Sequence, residues 1–124
     1  MVWYNVAMAD THTLLQQHCV PCEGGVEPLK GEKLSALTPV VPDWRVIEEK
    51  ELEKEFKFKD FKEALLFVSR VGELAESEGH HPDIDLHNWN KVTLTLSTHA
   101  IKGLSENDFI LAVKSDQIYA QMQG

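Results

Sequence analysis

Histidine is concentrated in one stretch of this chain, Glu76 to His99, which holds four of the six histidines of a 124-residue sequence. Two of them are adjacent and stand in a Gly-His-His-Pro corner. Because the unperturbed pKa of histidine lies near neutrality, two or three imidazoles in one pocket can donate and accept protons in the same turnover. We therefore predict the working site here, with His80, His81 and His99 as catalytic residues, and we expect His87 at the surface.

The surrounding sequence narrows the chemistry of such a cluster. No serine or cysteine stands in the context of a nucleophile elbow, and there is no glycine-rich phosphate loop. A histidine cluster without a nucleophile suits proton-coupled elimination or addition better than acyl transfer. Metal binding by His80, His81 and His99 stays open as an alternative. Their spacing matches no standard zinc pattern, so we predict a site without metal.

Composition restricts the class of protein. The length is that of a single domain with one modest core, and 43% apolar with 26% charged residues is typical of globular chains. A formal net charge of −8 argues against a nucleic-acid surface, which needs a basic patch. No apolar run approaches the roughly 18 residues of a membrane span, and the N-terminus lacks the basic start of a signal peptide. We expect a cytoplasmic protein, with Met8 as a candidate natural start.

The only cysteines, Cys19 and Cys22, form a Cys-x-x-Cys pair near the N-terminus. Such a pair can be a redox couple or half of a zinc site. A redox motif follows a strand and opens a helix, whereas glycines and a proline follow this one. A zinc site needs about four ligands, and only His12 and His18 lie nearby. A structural or incidental role is therefore favoured, with the redox and metal roles kept as alternatives.

Hydrophobic periodicity and turn residues divide the chain into an N-terminal arm, residues 1–28, and one domain, residues 29–124. Within the domain we predict a helix, a hairpin, a long helix, a second hairpin and a final helix, at residues 30–38, 44–58, 60–78, 83–98 and 105–121. Ser105 and Asp108 form a predicted capping box for the final helix. The order α-β-β-α-β-β-α indicates an α+β two-layer sandwich, a four-stranded antiparallel sheet with helices on one face.

The long helix carries more apolar residues than one sheet should cover. A capping box of Asp60 with Glu63 begins it, and Gly79 is expected to end it. Helical spacing predicts a core face of six residues: Phe61, Ala64, Leu65, Val68, Val71 and Ala75. Three more residues widen this face: Leu66, Phe67 and Leu74. The excess suits a subunit interface, and a well-buried helix is the alternative.

These elements also constrain the histidines. Pro82 pushes His81 into an extended conformation, so His80 and His81 should point in opposite directions and have different roles. Glu76 and His80 are four residues apart at the helix end and can share a face. His99 ends the last strand, and closure of the second hairpin could return it towards the end of the long helix.

Several runs of the sequence resemble the pterin-4a-carbinolamine dehydratases: FKFKDF at 56–61, GHHPD at 79–83, NKVTLTLSTH at 90–99 and GLSENDF at 103–109. The family pattern is an acidic residue, three residues, His-His-Pro, an aromatic residue in the following hairpin and Thr-His at the strand end. Its counterparts here are Glu76, His80, His81, Pro82, Trp89, Thr98 and His99, and Trp44 matches a family tryptophan. The resemblance is close over residues 41–113.

The resemblance implies an enzyme that removes water from the 4a-hydroxy-tetrahydropterin left by aromatic amino acid hydroxylases. The product is quinonoid dihydropterin, and no metal or organic cofactor is used. It further implies that His80 and His99 are the acid–base pair, that Glu76 tunes His80, and that His81 orients the pterin. The implied substrate-binding residues are Glu76, His81, Pro82, Trp44, Trp89 and Thr98. A homo-oligomer, dimer or tetramer, is expected because family members are commonly homotetramers.

A rival hypothesis comes from another class of protein. The chain could be a non-catalytic interaction or coactivator module that retains the pterin site and binds a partner through the long helix. Some animal members of the family double as a dimerisation cofactor for a homeodomain transcription factor. Those members carry Glu-Cys-Ala after Thr-His, whereas Ala100 to Lys102 stand here, so a role that rests on that cysteine does not transfer.

Overall fold

The computed structural model describes residues 11–20 and 27–123. Within them the helices are α1 (Thr11–Leu15), α2 (Gly31–Leu37), α3 (Phe61–Glu78) and α4 (Glu106–Gln123). The strands are β1 (Arg45–Ile47), β2 (Glu51–Lys57), β3 (Asp83–His87) and β4 (Lys91–Leu96). Single turns of 3-10 helix lie at Thr38–Val40 and His99–Ile101. Met8 and Cys22 fall outside the described residues.

The four strands form one antiparallel sheet in the order β1-β2-β4-β3. Side chains alternate between the two faces of a strand. The inward-facing apolar residues of the two central strands are fully buried, namely Leu52, Phe56, Val92, Leu94 and Leu96. The alternate positions carry charged residues and threonines, so only one face of the sheet needs cover. The core lies between that face and the helices, which confirms the predicted α+β two-layer architecture.

The predicted ends of α3 are confirmed. Asp60 Oδ1 accepts a hydrogen bond of 2.8 Å from the backbone N–H of Glu63. Gly79 has φ 67°, a left-handed conformation that suits glycine because it lacks a Cβ atom. The helix therefore stops at Glu78 and turns the chain towards the histidine pair.

The stripe that α3 buries differs from the predicted one. The buried residues are Ala64, Phe67, Val71 and Ala75. Phe67 contacts the rings of Phe56 and Phe58, so the helix is rotated to place this large side chain against the sheet. Phe61 and Leu65 are 49% and 47% exposed, and their predicted place in the core is wrong. The apolar excess of the helix therefore faces outwards.

The first half of α4 is buried on nearly all sides, from Asn107 to Val113. The sheet and α3 cover part of it, and α1 packs against it from the N-terminal side. Leu14 of α1 is only 3% exposed and belongs to the core. The boundary between arm and domain at residues 28 and 29 stays a prediction. Among the described residues, none of the helices has the length and hydropathy that crossing a bilayer requires.

Candidate active site

His80 is presented by the end of α3. After the left-handed turn at Gly79, the backbone N–H of His80 still donates to Ala75 O at 3.2 Å, which fixes the direction of the exit. Its side chain is 12% exposed, and Nε2 lies 2.7 Å from Asp108 Oδ1. The ring therefore bridges the end of α3 and the first turn of α4.

Asp108 is the centre of a small buried network. Its side chain is fully buried, and its Oδ2 accepts from the Ser105 backbone N–H at 3.0 Å and from Thr98 Oγ1 at 2.7 Å. Ser105 Oγ accepts in turn from the Asn107 backbone N–H at 3.2 Å, so the predicted capping box is confirmed. One carboxylate thus begins α4, holds the end of β4 and fixes the His80 ring. The sequence indicated only the first of these functions.

His81 has a different partner and a different exposure. Its Nε2 lies 2.5 Å from Glu76 Oε2, and both side chains are mostly exposed. The structure therefore pairs Glu76 with His81. The expected pairing of Glu76 with His80 is not formed. The reason is the left-handed residue Gly79, which takes the chain off the helical path. His80 then no longer occupies the helical position above Glu76, and it turns inwards to α4.

His99 lies in the 3-10 turn that follows β4. The ends of this loop are tied by Thr98 N–H to Gly103 O at 2.7 Å. A Cβ atom on Gly103 would lie 2.6 Å from Pro28 Cβ, so glycine is needed for this close approach. The His99 side chain is exposed, and within residues 11–20 and 27–123 its ring has no hydrogen-bond partner. The loop thus presents a free imidazole at a fixed position.

Three histidines, the adjacent pair His80 and His81 and the distant His99, line one open cavity of about 230 Å³. Its walls include His80, His81, Thr98, His99, Val20 and Asn107. A second, larger and more open cavity of about 780 Å³ lies along α3 and β3, with Glu76, His81 and Pro82 in its wall. His81 belongs to both cavities. The predicted residues Glu76, His80, His81, Pro82, Thr98 and His99 therefore lie around one connected surface.

Trp44 and Trp89 are not brought to this surface within the chain. Trp44 is 6% exposed, packs edge-on against Phe56 and donates through Nε1 to Asp116, because a buried indole N–H needs an acceptor. Trp89 is 59% exposed in the turn between β3 and β4. That turn is at the opposite end of the hairpin from the histidine pair, because His87 pairs with Lys91 beside the turn.

His87 lies on the outer face of the sheet. Its side chain is 35% exposed, and its Nε2 lies 3.0 Å from Thr93 Oγ1. It is separated from the cavity by the length of β3, so it is no part of the histidine cluster. Among the described residues, no group of three or more His, Cys, Asp or Glu side chains is arranged to hold a metal ion.

The segment His18 to Val20 is fastened to the edge of the site. Glu78 Oε1 accepts from the Cys19 backbone N–H at 2.8 Å, while its Oε2 accepts from Lys114 Nζ at 2.7 Å and lies 3.0 Å from His18 Nδ1. Burial alone would raise the pKa of Glu78, but the hydrogen bonds from Lys114, Cys19 and His18 outweigh it and lower the pKa to about 2. Glu78 is therefore a buried, ionised anchor two residues before His80.

The thiol of Cys19 is embedded in the same anchor. Burial and, second, the Glu78 carboxylate raise its pKa to about 12. A thiol must ionise to act as a nucleophile or as a metal ligand, so this environment makes Cys19 unreactive. Sequence reasoning left its role open between structural and reactive, and the geometry favours the structural one.

A family model described as pterin 4 alpha carbinolamine dehydratase matches residues 27–118. A protein of Rubrobacter xylanophilus, provisionally named a pterin-4-alpha-carbinolamine dehydratase, is 50% identical over 85% of this chain and 97% of its own length. The crystal structure of a transcriptional coactivator/pterin dehydratase from Brucella melitensis is similar, with a TM-score of 0.70 and 29% identity over 75% of this chain and 99% of that one. A pterin dehydratase-like RuBisCO assembly factor of the alpha-carboxysome shares the fold, with a TM-score of 0.53 and 24% identity over 62% of this chain and 89% of that one.

Proposed function

Because the chain belongs to the pterin 4 alpha carbinolamine dehydratase family, we propose that it is a cytoplasmic enzyme that dehydrates a 4a-hydroxy-tetrahydropterin to quinonoid dihydropterin. In this reaction the C4a hydroxyl takes up a proton as its C–O bond breaks. The N5 proton leaves, and a C4a=N5 double bond forms. One proton is supplied to the pterin and one is removed from it. One acid and one base that act on the pterin ring are therefore sufficient, and neither metal nor organic cofactor is needed.

The observation that supports this proposal most directly is the placement of His80 and His99 in the wall of one cavity. Asp108 accepts at Nε2 of His80, so this nitrogen carries a proton and Nδ1 is the ring nitrogen left for the substrate. The buried carboxylate also stabilises the imidazolium that forms when His80 takes a proton. The unpaired ring of His99 supplies the second proton-transfer group.

The remaining predicted residues orient the substrate in this proposal. His81, fixed by Glu76, stands where the two cavities meet and can contact a flat ligand that extends from one to the other. Pro82 and Thr98 complete the walls on either side. Trp44 and Trp89 have no such position within one chain, so we assign them no contact with the pterin.

The test is a dehydratase assay that follows loss of 4a-hydroxy-tetrahydropterin on purified protein. We expect His80→Ala and His99→Ala each to lower kcat by about 10²-fold or more, since each removes a proton-transfer group. His87→Ala is the matched control and should stay within about twofold of the wild type. If the wild-type protein shows no turnover, the proposed dehydratase activity is refuted. Unchanged rates in both site variants would refute the proposed roles of His80 and His99.

The rival function, an oligomeric interaction module, is favoured by one observation. Phe61, Leu65 and Leu66 expose 44% to 49% of their surface on α3, which is more apolar surface than a solvated helix face usually carries. We propose that this face joins copies of the chain in a homo-oligomer, dimer or tetramer. Light scattering on Leu65→Ser should show a smaller particle than on wild type. Loss of the oligomer with full turnover would separate the interaction face from the catalytic site.

A further inference from the structure

We infer that the segment His18 to Val20 is a working wall of the catalytic cavity, with Val20 as a residue that determines which pterins fit. This inference rests on the proposed function for the identity of the ligand. The segment precedes the region matched by the family model, which begins at residue 27. It therefore lies outside the part of the site that the family model covers.

The first observation is that Val20 itself lines the cavity that contains His80 and His99. Val20 is 66% exposed, so its side chain is open to a ligand that enters the cavity. A branched apolar side chain beside two imidazoles is suited to contact the flat ring or the side chain of a bound pterin.

The second observation is a pair of hydrogen bonds that fixes Val20 to the first turn of α4. Val20 N–H donates to Asn107 Oδ1 at 3.1 Å, and Asn107 Nδ2 donates to Val20 O at 2.7 Å. The amide side chain thus pairs with both backbone groups of Val20, as a neighbouring strand would. Asn107 is 5% exposed and directly precedes Asp108, the partner of His80. The same turn of α4 therefore holds a catalytic histidine and the arm.

The third observation is a second anchor of the segment, at the end of α3. Cys19 N–H donates to Glu78 Oε1 at 2.8 Å, and Glu78 is the last residue of α3, two positions before His80. Cys19 Sγ also lies 3.6 Å from Asn107 O. The segment His18 to Val20 is thus tied to α3, which presents His80, and to α4, which carries its partner Asp108. Its position relative to the histidines is set by these contacts.

The inference can be tested with a larger side chain at residue 20 and by removal of the hydrogen bonds that hold Val20. Val20→Trp should lower kcat/KM for the 4a-hydroxy-tetrahydropterin about tenfold or more, mainly through KM, because the larger side chain occupies the space of the ligand. Asn107→Ala should raise KM about threefold to tenfold with less change in kcat, because it releases the arm and leaves His80 in place. Gln17→Trp is the control, since Gln17 is exposed in the same arm but does not line the cavity.

A readout independent of pterin separates this inference from the proposed function. Carbethoxylation of His80 by diethyl pyrocarbonate, followed by mass spectrometry, should proceed several times faster in Asn107→Ala than in wild type. Equal rates of His80 modification in Asn107→Ala and wild type would overturn the inference that the segment is a wall of the cavity. Val20→Trp kinetics equal to those of Gln17→Trp would overturn it as well. Wild-type protein with no turnover but with faster modification of His80 in Asn107→Ala would overturn the proposed function and leave the wall in place.

Discussion

Nε2 of His80 lies 2.7 Å from Oδ1 of Asp108, a carboxylate that is fully buried at the start of α4. The other oxygen of Asp108 is occupied by Thr98 Oγ1 and the Ser105 backbone N–H. The orientation of the His80 ring is therefore tied to the end of β4, from which His99 is presented. Two histidines that are 19 positions apart in the sequence are thus connected through one carboxylate and Thr98.

This relationship predicts a large effect of Asp108→Asn. An amide cannot stabilise the imidazolium of His80 and favours the wrong tautomer, so kcat should fall about 10²-fold or more. The backbone and Thr98 contacts of the side chain can persist, so secondary structure should remain intact by circular dichroism. The measurement is a double-mutant cycle of Asp108→Asn with His80→Ala in the dehydratase assay. Because Asp108 acts through His80, the two losses should be far from additive. Additive losses would show that Asp108 contributes by another route.

Asp108 also shows why sequence reasoning reached only part of the site. Ser105 and Asp108 stand three residues apart at a helix start, and this local pattern correctly predicted a capping box. The contact with His80 depends on how α3 and α4 pack, which no local pattern contains. The usable signal was the position of an acidic residue shortly after the Thr-His pair at the end of β4.

The fold itself was accessible because its signals are local and repeated. Alternation in β2 and β4, the cap at Asp60 and the stop at Gly79 each depend on neighbouring residues only. The buried stripe of α3 was harder, since Phe67 and Leu65 are equally apolar and only the shape of the sheet decides between them. The pairing of Glu76 was missed because helical spacing stops applying at Gly79.

Glycine substitutions in the two hairpin turns should stabilise the protein. Glu49 and Trp89 occupy equivalent positions in the two turns, and both have φ 59°, a left-handed conformation that favours glycine. Glu49→Gly and Trp89→Gly should each raise the free energy of unfolding by about 0.5 to 1 kcal/mol in urea denaturation.

The pair also tests Trp89 as a substrate-binding residue. Because the turn lies at the opposite end of the hairpin from His80 and His81, Trp89→Gly should keep kcat/KM within about twofold, as Glu49→Gly should. If Trp89→Gly alone loses activity, the indole contacts the pterin, and a neighbouring copy of the chain would then have to bring it to the site.

The environment of Cys19 predicts slow alkylation of its thiol. Burial and the nearby Glu78 carboxylate raise its pKa to about 12, so the thiolate is scarce at neutral pH. In a Cys22→Ser background, alkylation by iodoacetamide at pH 7.5 should be about 100-fold slower than in the same protein unfolded in urea. Equal rates in the folded and unfolded protein would contradict a buried thiol and would reopen the redox alternative for the Cys-x-x-Cys pair.

Glu78 predicts an acid-sensitive step in stability. Its pKa is about 2 in the folded chain against an ordinary value of 4.5, so the folded state binds the proton more weakly than the unfolded state. The resulting stabilisation is fully present above pH 4.5 and is lost as pH falls from about 4.5 to about 2. It amounts to at most about 3 kcal/mol. Urea unfolding of wild type at pH 6, 4 and 3 should show this loss.

The matched variants for this step are Glu78→Gln and Glu73→Gln. Glu78→Gln removes the titrating group, so its stability should be lower at pH 6 and should fall less between pH 4.5 and 3. Glu73 is exposed on the same helix, and Glu73→Gln should keep the wild-type slope. A Glu78→Gln variant that follows the wild-type pH curve would show that the anchor of the arm is not Glu78.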